Sequence, residues 1–305
     1  MDSRLLDYFL RVVELGSINR AANDLHLSQP SLSRHIAALE HEMGTQLFNR
    51  SQGGVSLTEA GRLLSDRARP LLSQFALLKD QLGHTSGQLA IGIPPSWHHV
   101  FTSNFIERML TGNPGVNLRV HEGVSHILRD QMLAGLLDLC IVPYSSTPAN
   151  GYQQVSLVRE PLIWVGPSNS GLVFEGTVPL ARLDNLPLVL PGRPNMIRML
   201  LENSLTRTGM SFKVALQVDT LDLCLNVAER GLAHTVVPAC AMAGLTDQRR
   251  LSWGPIKGFF ITWALNENEA RTHSPAVREG RAAVVASLQA ALNVDTWFGA
   301  EAVGK

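Results

Sequence analysis

The sequence predicts an α/β protein with a separate all-α winged helix-turn-helix domain at its amino end. Two observations predict this. Two short amphipathic helices stand close together between Ser17 and Gly44, and from Leu89 to Leu292 short apolar runs alternate with helical periodicity. At 305 residues the chain is long for one core and suits two or three domains.

In Ser28–Gly44, Leu32, Ile36, Leu39 and Met43 fall at i, i+4, i+7 and i+11, one apolar stripe of a helix. Ser28 is a good N-cap and Gly44 a good terminator. The opposite face holds Pro30, Ser33, Arg34 and Ala37, with Gln29 and Ser31 on the first turn. Upstream, Ile18, Ala21, Ala22 and Leu25 form a second stripe capped by Ser17, and only His26-Leu27 separates it from Ser28. A generic helical hairpin and a helix-turn-helix, whose second helix enters a major groove, both fit this spacing. Leu47–Arg50 and Val55–Leu57 flank Ser51-Gln-Gly-Gly54, a glycine-bearing hairpin that reads as a wing. Residues 4–15 supply a first helix, with Leu6, Phe9, Leu10 and Val13 facing inward.

Thr58 caps a long helix whose apolar residues Leu64, Ala68, Leu71, Phe75, Leu78 and Leu82 are spaced like a coiled-coil seam. Packing on its own domain is one outcome. A second chain is the favoured one, because a small winged domain cannot cover so long a seam. Pro70 predicts a bend near Asp66–Pro70, and His84–Gln88 reads as a hinge.

Beyond the hinge, strands are expected at Leu89–Ile93, Val116–His121 and Leu139–Val142, with helices over Pro95–Leu110 and Ser125–Leu136. This βαβαβ order predicts a parallel sheet. Residues 143–160 are poorly patterned. Strands Leu162–Val165, Leu188–Leu190, Lys213–Val218 and His234–Val237, with helices Asn195–Thr208 and Thr220–Arg230, make a second such unit. Ile256–Leu265 returns to the first unit, followed by the helix Pro275–Leu292. The tail 294–305 has no period, and disorder is expected there.

Ala21-Ala22, Leu25, Ser28 to Ser33, Ile36, Leu39-Glu40, Gly44, Leu47-Phe48, Arg50 and Leu57 to Gly61 together resemble the amino-terminal domain of LysR-type transcriptional regulators. The resemblance is dense over residues 3–65 and matches in layout to about residue 293. It implies a winged DNA-binding domain at 1–57 and a dimerising linker helix with hinge at 58–86. A periplasmic-binding-protein-like effector domain would follow, with unit I at 87–161 plus 266–293, unit II at 162–265, and the tail at 294–305. It also implies double-stranded promoter DNA, a small-molecule inducer, RNA polymerase and further copies of the chain, up to a tetramer, as partners. Base reading is expected from Gln29, Ser31 and Ser33 behind the cap Ser28. Pro30 would make apolar contact, and Arg34 and Arg50 would grip phosphates.

Net charge is zero, and the first sixty residues hold five arginines against seven carboxylates. The broad basic footprint usual for nucleic-acid binding is missing, so a few placed contacts and dimerisation must carry affinity. No apolar run approaches the ~20 residues of a membrane span. Met1-Asp-Ser-Arg4 runs into an amphipathic helix rather than a signal segment. Cys140, Cys224 and Cys240 are unclustered, which points to a reducing compartment, the cytoplasm.

Ligands of open α/β sheets bind beyond the carboxyl ends of strands. Ser96, Ser125, Asn195 and Thr220 close such ends as helix caps, and the resemblance gathers them into one cleft. The expected ligand is a small organic anion, with Trp97 beside it favouring an aromatic one. Each residue read singly is a cap alone. His98-His99 lack a third ligand at metal spacing, and no metal or cofactor is expected. No phosphate loop, zinc-helix motif or nucleophile elbow is present, so no enzyme is expected. Two further readings remain. One is a redox-responsive regulator, with Cys240 as the exposed thiol. The other is a solute-binding protein without DNA binding.

Overall fold

The apolar stripes of three short helices close the first core. In this computed structural model, residues 3–51, 54–68, 72, 87–173, 176–210, 212–244, 250–294 and 296–303 are described. The chain folds as two units, the first Met1–His84 with Leu133–Leu136 and the second Thr85–Met132 with Leu137–Lys305.

In the first unit, α1 (Ser3–Leu15), α2 (Ile18–Asp24) and α3 (Gln29–Met43) bury Phe9, Ala21, Leu32, Ile36 and Leu39 completely. Val12 is fully buried and Val13, the expected core residue, only half so; Val12 lies three residues after Phe9, nearer the centre of the stripe. Ser17 Oγ accepts from the Arg20 amide at 3.4 Å, and Ser28 Oγ from the Ser31 amide at 3.3 Å. Gly44 ends α3 in the left-handed region at φ 67°. The wing strands β1 (Phe48–Ser51) and β2 (Gly54–Leu57) pair antiparallel from Phe48–Leu57 to Ser51–Gly54. Only glycine suits position 54: its φ is 128°, and a Cβ there would stand 2.8 Å from the Gly16 carbonyl oxygen. Glu40 Oε1 accepts from the amides of Leu47 and Phe48 at 2.8 and 3.2 Å, fastening the wing to α3.

A helix, α4 (59–68), follows Thr58, whose Oγ1 accepts from the Gly61 amide at 3.0 Å. Ala68 is fully buried in the first unit's own core and Leu64 packs against it, so these two seam positions serve their own domain. Leu71, Phe75, Leu78, Leu82, Pro70 and the hinge residues 84–86 lie outside the described residues.

In the second unit, β3 (Gln88–Ile93) runs parallel to β4 (Asn117–Glu122) on one side and β5 (Leu139–Pro143) on the other. The connections carry α5 (Ser103–Gly112) and α6 (Ser125–Leu133). The expected single helix after β3 is instead a 3₁₀ turn at Pro95–Trp97, a π turn at His98–Thr102, and then α5.

Two long strands continue the sheet. The stretch 143–160, unpatterned in sequence, contains most of β6 (Tyr152–Pro167), which pairs antiparallel with β10 (Leu251–Asn268). The sheet is therefore mixed, ordered β11 (Glu301–Ala302), β6, β10, β5, β3, β4. Its alternation is hidden because Val155 is 61% exposed while Glu160 is fully buried. β10 also pairs with β5 and breaks register on β6 between Pro255 and Phe260, opposite Pro161. Both strands thus cross from one lobe to the other. The second lobe holds β7 (Pro187–Leu190), α7 (Met196–Arg207), β8 (Lys213–Gln217), α8 (Leu221–Glu229) and β9 (Thr235–Pro238), with β7 parallel to β8 and β9 antiparallel to β6. α9 (Pro275–Leu292) packs back on the first lobe.

The tail is a correction. Trp297 is only 4% exposed, and β11 (Glu301–Ala302) pairs with Arg159 and Val158 of β6. One buried indole and one strand pairing order a stretch whose composition has no period.

Candidate functional site

The recognition face comes first. With Leu32, Ile36 and Leu39 turned inward, α3 leaves Ser28, Gln29, Pro30 and Arg34 exposed and Ser31 and Ser33 half-buried. Gln29 Nε2 donates to Ser33 Oγ at 3.0 Å, and Arg34 Nε donates to the Pro30 carbonyl at 3.4 Å. These bonds hold the amide and guanidinium close to the helix surface. The side chain of Arg50 lies outside the described residues. Arg11 is committed elsewhere: it bonds Asp24 with two nitrogens at 2.6 and 2.7 Å and Glu14 at 2.8 Å. That guanidinium holds the Asp24 carboxyl below its usual value.

In the second unit, a cavity of about 580 Å³ opens between the two lobes. Ser96, Ser125, Asn195 and Thr220 all line it. Their convergence follows from topology: Ser96 and Ser125 follow β3 and β4 of one lobe, Asn195 and Thr220 follow β7 and β8 of the other. Asn195 Oδ1 accepts from the Arg198 amide at 3.2 Å, whereas the Thr220 side chain makes no capping bond. Ser125 is the first residue of α6 rather than a residue before it.

Trp97 does not line the cavity. It is fully buried behind it, its ring edge-on to Phe101, Trp263 and Trp297 at centroid distances of 5.1, 5.7 and 5.0 Å. The 3₁₀ turn rotates the indole inward and turns its neighbours His98 and His99 toward the cleft. Trp263, from β10, is the indole that does reach the cavity wall.

Behind Trp263 stands a group that sequence reading missed. Glu160 is fully buried, and its carboxylate accepts from Trp263 Nε1, from Trp297 Nε1 at 2.8 Å and from the Cys240 amide at 2.6 Å. Burial pushes its carboxyl above the usual range, against the pull of those donors. The available signal was weak: Glu160 is the one carboxylate in Leu157–Val165, a stretch that is otherwise apolar except for Arg159. Cys240, expected to be exposed, is fully buried; its thiol bonds Ser96 and Glu160 and is pushed well up by burial. Cys140 and Cys224 are also buried, and burial raises them to about 12 and about 11. The chain's three thiols are thus sequestered and protonated at neutral pH, which removes the support for Cys240 as a redox sensor.

Among the described residues no three His, Cys, Asp or Glu side chains are placed to hold a metal, and no helix is long and apolar enough to cross a membrane.

A winged helix-turn-helix with an exposed reading face, in one chain with a two-lobed α/β cavity, defines a ligand-responsive DNA-binding regulator. The chain belongs to the LysR family of transcriptional regulators. "Bacterial regulatory helix-turn-helix protein, lysR family" matches residues 3–62, and "LysR substrate binding domain" matches residues 82–289. It is similar to the nitrogen assimilation regulatory protein nac of Klebsiella aerogenes, 31% identical over 250 residues that cover 80% of this chain and 81% of that protein. Two solved structures share the fold. Full-length OxyR from Pseudomonas aeruginosa superposes with TM-score 0.73 at 21% identity, covering 95% of each chain. CbnR in complex with its target DNA superposes with TM-score 0.66 at 22% identity, covering 94% of this chain and all of the other.

Proposed function

We propose that this regulator binds promoter DNA through α3 and the wing, and that a small organic molecule in the interlobe cavity changes that binding. Gln29, Ser31 and Ser33 read base edges, Pro30 makes apolar contact, and Arg34 and Arg50 hold phosphates. The carrying observation is the two-sided α3, with Leu32, Ile36 and Leu39 fully buried and Gln29, Pro30 and Arg34 exposed. The chain acts in the cytoplasm as a regulator and not as an enzyme. It dimerises through the helix that starts at Thr58, assembles further to a tetramer, and works with RNA polymerase. Four lining residues on the two lobes, Ser96 and Ser125 facing Asn195 and Thr220, support the ligand role. A molecule touching both lobes favours whichever lobe orientation binds it more tightly.

The test is a reporter on the promoter that the protein protects, driven by a metabolite extract. Ser96→Ala and Ser125→Ala are expected to blunt the response while binding to DNA without extract stays near wild type. Equal loss of stability with a full response would place the responsive site elsewhere.

A further inference from the structure

The cavity's charge speaks to what it accepts. No lysine or arginine lines it among the described residues, while Asp219 and Asp222 both do, on the loop and first turn that open α8. The cations nearest by sequence are already paired. Arg193 and Arg198 both bond Glu202, at 2.7 and 2.9 Å, and Arg198 also donates to the Pro191 carbonyl at 3.1 Å. On the opposite lobe, His98 Nδ1 stands 3.4 Å from Glu122. Of the α-helix ends at the cavity, those of α7 and α8 are answered from within the protein, while that of α6 at Ser125 carries no acidic residue in its first turn. Asp222 sits in the first turn of α8, and Asn195 caps α7. The rest of the wall is largely apolar, with Ile197, Leu225, Val237, Pro238 and Trp263. An anion entering here leaves water to meet two like charges, and among the described lining residues only the imidazoles of His98 and His99 could answer it.

We propose that the effector is a small organic cation, an amine on an apolar body, with its ammonium facing Asp219 and its body against Trp263 and Val237. The proposal rests on the cavity being the effector site. Asp219 is exposed at the rim, so the preference weakens with added salt.

The test measures binding of phenethylamine, phenethyl alcohol and hydrocinnamate, alike in body and different in charge, to the full chain by indole fluorescence and thermal shift. Wild type is expected to bind the amine at least about tenfold more tightly than the carboxylate, with the alcohol between. Asp219→Asn should shrink the gap between amine and alcohol severalfold without lowering the melting temperature. Val124→Trp, which fills the cavity from its half-buried wall, should abolish binding of all three. An amine that binds no more tightly than the carboxylate, including no binding at all, overturns the proposal. So does an Asp219→Asn variant with the preference unchanged. Carboxylate preference lost in Val124→Trp would overturn the charge assignment alone and leave the cavity as the effector site. Binding that survives Val124→Trp would show the compounds sit elsewhere, and the cavity reading would fall with the proposal.

Discussion

Trp297 Nε1 donates to Glu160 Oε2 across 2.8 Å, joining the tail to a carboxylate behind the interlobe cavity. Trp97 packs edge-on against Trp297 and Trp263, so one aromatic group links the tail, β3's exit turn and the cavity wall. Trp297→Phe keeps most of the packing and deletes the donor. Leaving a buried acceptor short of a donor costs about 2 kcal/mol. For a unit of this size that lowers Tm by roughly 4–8 °C. An unchanged melting curve would mean the bond contributes nothing.

Glu160 also gives the fold a pH dependence. Its carboxyl titrates above the usual carboxylate range in the folded protein because it is buried. The native state therefore keeps a proton that the unfolded chain has released, and stability from this group falls as pH rises from the usual carboxylate range through the raised native value. Below that window the effect is absent. Glu160→Gln removes the titration, so the difference in unfolding free energy between variant and wild type should change in the variant's favour as pH rises through the window. Parallel stability curves for the two proteins would contradict it.

On the DNA side, Gln29→Ala should relax sequence preference by about 1–3 kcal/mol, while Arg34→Ala weakens all duplexes alike and lowers the salt slope. Binding isotherms at several salt concentrations, on operator and scrambled DNA, separate the two effects. Gln29→Ala with the preference intact would move the reading face off the first turn of α3.

Assembly is the next expectation. Leu64 and Ala68 are used by the first unit's own core, so a dimer through this helix is expected to rest on the later seam residues Leu71, Phe75, Leu78 and Leu82, which lie outside the described residues. Replacing Leu71 and Phe75 with Lys should yield monomers and abolish operator binding. Sedimentation of the wild type as a monomer at micromolar concentration would contradict it.

How much could be read from the sequence depended on where each element's stabilisation lies. α3 was legible end to end because Ser28, the stripe Leu32–Ile36–Leu39 and Gly44 are local signals. Ser96, Ser125, Asn195 and Thr220 read locally only as helix caps; their place around one cavity was expected from the family resemblance and not from any local signal. β6 was not legible, because its buried positions include Glu160 and its exposed ones Val155. That inversion makes sense only once Trp263 and Trp297, over a hundred residues away, bring their N–H groups to the carboxylate. Trp97 and Cys240 were misplaced on the same ground: a 3₁₀ turn at each decides whether the side chain faces the cleft or the core.

Sequence-specific DNA binding is assigned to the exposed face of α3, and a binding measurement on two duplexes checks it. Fluorescence anisotropy of the full-length protein with duplex from its own upstream region, against a scrambled duplex at the same salt, reads specificity without knowledge of the effector. A preference of at least about 10³-fold for the upstream site is expected, reduced toward non-specific binding in Gln29→Ala. Equal affinity for the two duplexes, with a footprint nowhere in the region, would contradict it.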